Sequence, residues 1–139
     1  MKCISLWQPW ATLVVLGAKK IETRHWYTPV RGRVAIHAAK RWTRDERDIA
    51  ECRLFREHLR AWDRPLPLGA IVGTVSLETC VRITADNTPD TPERHFGNYE
   101  PGRYAWFLSE PVLFHEPIPT RGHQGWFDVE LPPQEPPHA

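Results

Sequence analysis

The sequence has 139 residues and a mass of 16.2 kDa, enough for one domain with little room for a second. Its net charge of +1 excludes a whole-molecule attraction to nucleic acid, so any such attraction has to come from a local patch. No apolar run reaches the roughly 20 residues that span a bilayer, and three widely spaced cysteines indicate neither a disulfide framework nor a zinc site. We therefore expect a cytoplasmic protein with no membrane segment, metal or cofactor, and with its cysteines buried.

The first half of the chain predicts three strands and two helices. Strands are predicted over 2–7, 21–26 and 31–39, and helices over 9–16 and 43–62. Pro9 suits the first position of the first helix, and Gly17 suits its left-handed C-cap. Thr43 and Glu46 form a capping-box pattern at the start of the second helix, and Pro65 ends it.

The second half predicts strands and one long loop. Strands are predicted over 69–83, 103–109 and 111–118, with a turn and a final strand over 121–131. The loop 84–102 exceeds the about 12–15 residues above which loops are usually functional or disordered. Because strands and helices do not alternate, we expect an α+β fold, a small mixed β-barrel with two main helices. It should occupy residues 1–131, followed by a disordered Pro-rich tail over 132–139.

Three charged side chains, Lys19, Glu22 and Arg24, are the main candidates for catalysis. Alternation along the strand places Glu22 and Arg24 on one face, and Lys19 lies just past the helix end. Such a cluster can hold a phosphate or polarise a carbonyl, with the carboxylate as a base. The spacing alone favours the alternative, a surface ion-pair network worth about 0–1 kcal/mol per pair. In either case we expect the three side chains to be exposed.

Further candidates for ligand contact come from aromatic and polar residues. An exposed Trp can stack on a base, which contributes about 1–3 kcal/mol, although a single Trp is more often part of the core. His37 and Lys40 could form an anion patch, but a lone His at the end of an apolar strand is more often a core residue. Gln124, between two glycines, could read a base edge or serve a turn. The full set is Trp7, Gln8, Trp26, His37, Lys40, Glu93, Trp106 and Gln124.

Residues 17–24, GAKKIETR, match the GxKxxExR signature of the ASCH family. Further segments resemble a bacterial branch of that family in the right order: SLWQPWA, RVAIHAAK, GAIVGTV, GRYAW and PIPTRGHQG. The resemblance implies a PUA-like domain with a cleft between barrel and helix for single-stranded RNA or a modified nucleoside.

The resemblance also suggests activities. One ASCH branch removes the acetyl group of 4-acetylcytidine with a Lys, a Thr three residues later and a distant Glu. Lys19 matches that Lys and Glu93 is the counterpart of the Glu, but Glu22 replaces the Thr and its hydroxyl. Other members are linked to cleavage of single-stranded RNA. The alternatives are thus an amidohydrolase, a metal-independent ribonuclease, and a non-catalytic RNA-binding or adaptor module.

Overall fold

The computed structural model describes residues 1–133, which form one six-stranded sheet and four helices. The strands are β1 (Lys2–Leu6), β2 (Ile21–Arg24), β3 (Gly32–Ala38), β4 (Ala70–Arg82), β5 (Tyr104–Pro119) and β6 (Phe127–Asp128). The helices are α1 (Trp10–Leu16), α2 (Arg44–Glu51), α3 (Arg53–His58) and α4 (Glu93–Phe96). The predicted α+β class is confirmed.

The sheet is open, so the predicted closed barrel is wrong. Its strand order is β2-β5-β4-β3-β1-β6, with β1 and β3 parallel and the other neighbours antiparallel. Closing a barrel requires the two edge strands to pair with each other. Within residues 1–133 the edges do not meet: β2 has four residues paired with β5, and β6 has two paired with β1.

The predicted helix caps are confirmed, while the lengths of the helices and strands differ from the prediction. Gly17 is a left-handed C-cap with φ 83°, and Thr43 and Glu46 form the capping box. The predicted helix 43–62 is broken at Cys52, whose extended backbone (ψ 141°) separates α2 from α3. Cys52 is also exposed, against the prediction of three buried cysteines. After this break, α3 buries Phe55 in a cluster with residues of α1 and α4.

Two further elements differ in the second half. The predicted strands 103–109 and 111–118 form the single strand β5, which bends at Glu110, where φ is 48°. The predicted loop 84–102 contains α4, because Phe96 is buried and anchors this segment to the α1 and α3 cluster.

The sheet buries both faces, and this arrangement positions the candidate site. On one face α1 packs Val14 and Val15 against β3 and β4, while Phe114 lies in a smaller cluster on the other face. Because β1 and β3 are parallel and in register, Ser5 lies beside His37 where both strands end.

Two further observations concern the limits of the chain. Between residues 1 and 133, no helix is long and apolar enough to cross a membrane. Of the predicted tail 132–139, residues 134–139 lie outside the described residues. The domain limit at residue 131 stays a prediction.

Candidate functional site

An open groove lies where β1 and β3 end, beneath the segment that joins β5 to β6. It has a volume of about 1270 Å³, and residues 119–125 form one of its walls. A second groove of about 720 Å³ lies on the side of α4. The two grooves share four lining residues, Ser5, Trp7, Arg24 and His25. Both therefore open around the ends of β1 and β2.

The first groove carries a concentrated positive charge. Arg24, Lys40 and Arg121 line it, and none of its described lining residues is Asp or Glu. Three histidines, His25, His37 and His123, lie among them. In a chain of net charge +1 this is a local cationic patch, the kind that can attract an anionic ligand.

The predicted cluster of Lys19, Glu22 and Arg24 assembles. The Lys19 Nζ lies 3.4 Å from the Glu22 Oε1, and the Arg24 Nε donates a hydrogen bond of 3.0 Å to the Glu22 Oε2. The Arg24 Nη2 donates to the Ser5 carbonyl at 2.8 Å, while Lys19 also donates to the Ile21 carbonyl. Glu22 thus orients Arg24, and the backbone of β1 fixes the other side of the guanidinium.

The cluster is buried to different depths, which corrects the expectation that all three side chains are exposed. The Lys19 side chain is 1% exposed, that of Glu22 12% and that of Arg24 24%. Arg24 lines both grooves and Glu22 only the second, whereas Lys19 lines neither. Burial acts to raise the pKa of Glu22, but the Lys19 and Arg24 cations outweigh it and hold the pKa below its ordinary value.

Trp7 forms an exposed aromatic rim between the grooves. It is 50% exposed, and the Arg41 Cζ lies over its ring, 4.3 Å from the centroid. The Arg41 Nε is in turn held 2.9 Å from the Glu46 Oε1, and Glu46 is buried in the capping box of α2. The start of α2 thus fixes the cation that covers part of the Trp7 ring.

The other predicted aromatic and amide candidates divide between groove and core. Trp26 lines the first groove and packs edge-on against Trp106, with centroids 4.9 Å apart. Trp106 is 1% exposed, stacks on Trp126 and lines neither groove. Gln8 is fully buried, and its amide bonds Thr12 and the Pro67 carbonyl. Trp106 and Gln8 therefore have structural positions and are not at the groove.

Glu93 lies away from both grooves. Its Oε1 accepts a hydrogen bond from the Lys20 backbone, which ties α4 to the residue before β2. Its Oε2 and the Tyr99 hydroxyl are buried and have no hydrogen-bond partner within residues 1–133. Burial, with the nearby Glu93 and Glu22 carboxylates, raises the pKa of Tyr99. Glu93 thus contacts the chain next to Lys19 and lines neither groove.

His37 holds the wall of the first groove. It is 2% exposed, its Nδ1 lies 2.8 Å from the Ser5 Oγ and its Nε2 lies 2.7 Å from the Thr120 carbonyl. Burial lowers its pKa and outweighs the hydrogen bond to the Thr120 carbonyl, which acts to raise it, while His123 makes a smaller lowering contribution. The predicted anion patch of His37 and Lys40 is thus divided between a buried histidine and an exposed lysine on the groove.

Several groove residues were not predicted from the sequence. Arg121 and His123 lie in the same segment as the candidate Gln124, which also lines the groove, and Arg41, which follows Lys40, lies over the Trp7 ring. The run of polar residues around Gly122 was the available signal for this segment. For the described part of the chain, no group of three or more His, Cys, Asp or Glu could hold a metal ion.

Comparison with known proteins finds a family and a fold. The ASCH domain model matches residues 4–118. Activating signal cointegrator 1 of Homo sapiens and of Mus musculus are each 37% identical over 83 residues, 57% of this chain and 14% of either protein. The chain thus spans a small part of the length of these curated relatives.

Solved structures agree with this fold. The crystal structure of ASCH from Zymomonas mobilis has a TM-score of 0.50 and 20% identity, covering 84% of this chain and 71% of that one. A mutant of the same protein has a TM-score of 0.51 and 22% identity, covering 84% and 72%. At this identity the likeness concerns the fold alone.

Proposed function

The chain belongs to the ASCH domain family, and on this premise we propose that it is a binding module for single-stranded RNA or a modified nucleoside. One observation carries the proposal: the first groove gathers Arg24, Lys40 and Arg121 with no carboxylate among its described lining residues. Phosphate contacts by Arg and Lys supply most of the affinity of RNA-binding surfaces.

Arg24 is oriented to contact an anion. A guanidinium carries five N–H donors in a fixed fork. Within residues 1–133, hydrogen bonds engage its Nε, with Glu22, and its Nη2, with the Ser5 carbonyl. This leaves the Nη1 donors for a phosphate or carbonyl oxygen in either groove. Because two bonds already hold the side chain, little rotamer entropy is lost when it binds.

Trp7 supplies a surface for a base. Half of its surface remains exposed beside both grooves, while Arg41 holds its ring. Stacking of an unpaired base on such a ring contributes about 1–3 kcal/mol. A base inside a duplex cannot reach it, so the ligand should be single-stranded RNA or a free nucleoside.

The burial of Lys19 favours binding over hydrolysis of 4-acetylcytidine by this cluster. Its side chain is 1% exposed and its ammonium contacts Glu22 and the Ile21 carbonyl, so it is not available to a ligand in either groove. The lowered pKa of Glu22 keeps it a carboxylate that orients Arg24. The amidohydrolase and ribonuclease hypotheses remain as outcomes of the experiment.

The experiment is a titration with labelled single-stranded RNA, duplex RNA, duplex DNA, cytidine and 4-acetylcytidine, followed by mass analysis of each ligand. We expect single-stranded RNA or a nucleoside to bind and all masses to stay unchanged. Arg24→Lys and Arg24→Met should weaken binding about 10- to 100-fold, since a charged hydrogen bond contributes about 1.5–3 kcal/mol. Arg53→Met, at an 88% exposed arginine of α3, is the matched control.

The outcomes distinguish an enzyme from a binding module. Loss of the acetyl group or shortening of the RNA would establish an enzyme in place of a pure binding module. Equal binding by wild type and the two Arg24 variants, with circular dichroism showing that they are folded, would refute the proposed site.

A further inference from the structure

Ser5 and His37 form a hydrogen-bonded pair at the wall of the first groove. The Ser5 Oγ lies 2.8 Å from the His37 Nδ1, and both residues line the groove. Ser5 also lines the second groove, so the pair lies where the two grooves join. We propose that Ser5 is a nucleophile and His37 its general base, and that the pair hydrolyses an acyl ester carried by the bound ligand.

The hydrogen bonds fix which nitrogen of His37 carries the proton. The Thr120 carbonyl can only accept a hydrogen bond, so the Nε2, 2.7 Å away, must donate to it. In the neutral ring the Nδ1 is then an acceptor, and the Ser5 hydroxyl donates to it. A nucleophile, a base and a group that orients the base are the parts of an activated serine.

The environment of the pair keeps the base neutral and close to the serine. Burial lowers the pKa of His37, so the ring is unprotonated at neutral pH and its Nδ1 is free to take a proton. Gly122 packs directly over the pair: a Cβ at this position would lie 2.7 Å from the His37 Cε1 and 3.0 Å from the Ser5 Oγ. A side chain there would displace the pair, and glycine leaves it in place.

Arg24 adds a cation beside the nucleophile. Its Nη2 donates to the Ser5 carbonyl at 2.8 Å, so the guanidinium is anchored on the same residue as the attacking oxygen. A fixed donor near the reacting carbonyl stabilises the negative oxygen that forms there. The choice of an acylated nucleotide or nucleoside as the substrate class rests on the proposed function of the groove.

An ester is favoured over an amide because the orienting group is neutral. A carbonyl at Nε2 stabilises the imidazolium less than a carboxylate would, which leaves the base weaker than in a Ser-His-Asp triad. Alcohols leave more readily than amines, so ester cleavage demands less of the base.

The reaction balances without a further reactant except water. As the Ser5 Oγ bonds the acyl carbon, its proton passes to the His37 Nδ1 and the carbonyl electron pair moves onto oxygen. The intermediate collapses, the bond to the leaving alcohol breaks, and the alcohol takes the proton from Nδ1. Water then attacks the acyl-serine and gives a proton to Nδ1, and Ser5 leaves with that proton as the acid is released.

The test is covalent labelling of the full chain with an alkyl fluorophosphonate, with peptide mass mapping. We expect the label on Ser5, none on that peptide in Ser5→Ala, and labelling at least about a hundred-fold slower in His37→Gln. Ser109→Ala is the matched control, since the hydroxyl of Ser109 donates to the Glu78 carboxylate and has no histidine partner within residues 1–133. Release of acetate from a 3′-O-acetylated RNA oligonucleotide should follow the same order.

The labelling site in wild type requires no variant, so the inference is testable even if Ser5→Ala unfolds. An unlabelled Ser5 in folded wild-type protein, or equal labelling of Ser109, would overturn it. Binding of RNA and of the nucleosides is measured on the same preparation: binding without labelling refutes only the nucleophile, and labelling without binding of either ligand refutes only the proposed binding function.

Discussion

Lys19 and Arg24 contact the same carboxylate, but they differ in how deeply they are buried and in whether they reach the grooves. Both lie within 3.4 Å of Glu22, but Lys19 is enclosed while Arg24 reaches both grooves. A buried ion pair costs much to desolvate, and its main contribution here is to fix the carboxylate that orients Arg24. Under the proposed function, Lys19 would therefore serve stability and Arg24 would contact the ligand.

Replacing Lys19 should destabilise the protein strongly. Removing one partner of a buried pair typically costs about 3–5 kcal/mol, and we expect the lower end for Lys19→Met because Arg24 stays beside Glu22. Arg53→Met breaks the exposed pair with Glu57 and should change the free energy of unfolding by about 0–1 kcal/mol. Urea denaturation measures both, and equal effects of the two variants would show that the Lys19 pair behaves as a surface pair.

Trp7 can be compared with a second tryptophan in a similar environment. An arginine covers each ring, Arg41 at 4.3 Å over Trp7 and Arg64 at 4.4 Å over Trp62, but Trp62 lines neither groove. Trp7→Ala should weaken RNA binding by about 1–3 kcal/mol through lost stacking, and Trp62→Ala should not. Fluorescence anisotropy with labelled RNA measures both, and an equal loss in the two would place the base elsewhere.

The buried His37 predicts how stability depends on pH. Its folded pKa lies below the ordinary value of 6.5, so the unfolded chain binds a proton that the folded chain resists. Stability is therefore full above about pH 6.5 and falls as the pH drops through that value toward the folded pKa. Glu22, also lowered, adds a second decrease below its ordinary 4.5.

Denaturation between pH 8 and 5 should show the first decrease in wild type and a flatter curve in His37→Gln. His115→Gln, at an exposed histidine of β5, is the control and should retain the wild-type slope. A wild-type curve that stays flat from pH 8 to 5 would contradict the burial of a neutral His37.

For helices and strands, neighbouring residues in the sequence predicted where some elements end, whereas contacts between distant residues determined how long the elements are. The C-cap at Gly17 and the box of Thr43 and Glu46 involve neighbouring residues, so the sequence was sufficient to find them. The break at Cys52 follows from the packing of Phe55 against other helices, and the continuation of β5 past Glu110 follows from pairing with β4. Neither contact is visible in a local pattern.

The same limit applies to the site. Strand alternation correctly brought Glu22 and Arg24 together, because that relation lies within four residues of β2. Alternation cannot tell which tryptophan is covered, and Trp106 proved to be core because Trp26 and Trp126 pack on it. The segment 119–125 forms a groove wall because the Thr120 carbonyl contacts His37, which lies 83 positions earlier in the chain.

The segment 119–125 should therefore depend on the space left by Gly122. A Cβ there would come within 2.7–3.0 Å of His37 and Ser5, so Gly122→Ala should push the segment off the sheet. Its expected cost is about 1–3 kcal/mol, the usual range for overpacking, with weaker RNA binding.

A double-mutant cycle tests the cause of that loss. In a His37→Ala background the clashing ring is gone, so Gly122→Ala should then cost clearly less than in wild type. Thermal denaturation of the four proteins gives the coupling. Additive effects would mean that Gly122 and His37 act independently.

Across the whole molecule, positive and negative charges nearly cancel, but positive charge is concentrated in the first groove. Under the proposed function, a chain of net charge +1 should attract RNA only over the short range of its groove, where Arg24, Lys40 and Arg121 are gathered. Each phosphate that a groove cation neutralises releases counterions. On single strands, each one makes the slope of the logarithm of the association constant against the logarithm of salt concentration steeper by about 0.7. Three groove cations set an upper limit of three phosphates.

We expect the logarithm of the association constant to fall with the logarithm of salt concentration with a slope of about −2 for single-stranded RNA. Arg121→Ala removes one groove cation and should make the slope shallower by about 0.7. Arg82→Ala removes an exposed arginine of β4 outside both grooves and should leave it unchanged. Binding titrations over a range of salt concentrations measure all three proteins. Equal slopes for the two variants would mean that RNA follows the surface as a whole, and the groove would then lose its role as the binding site.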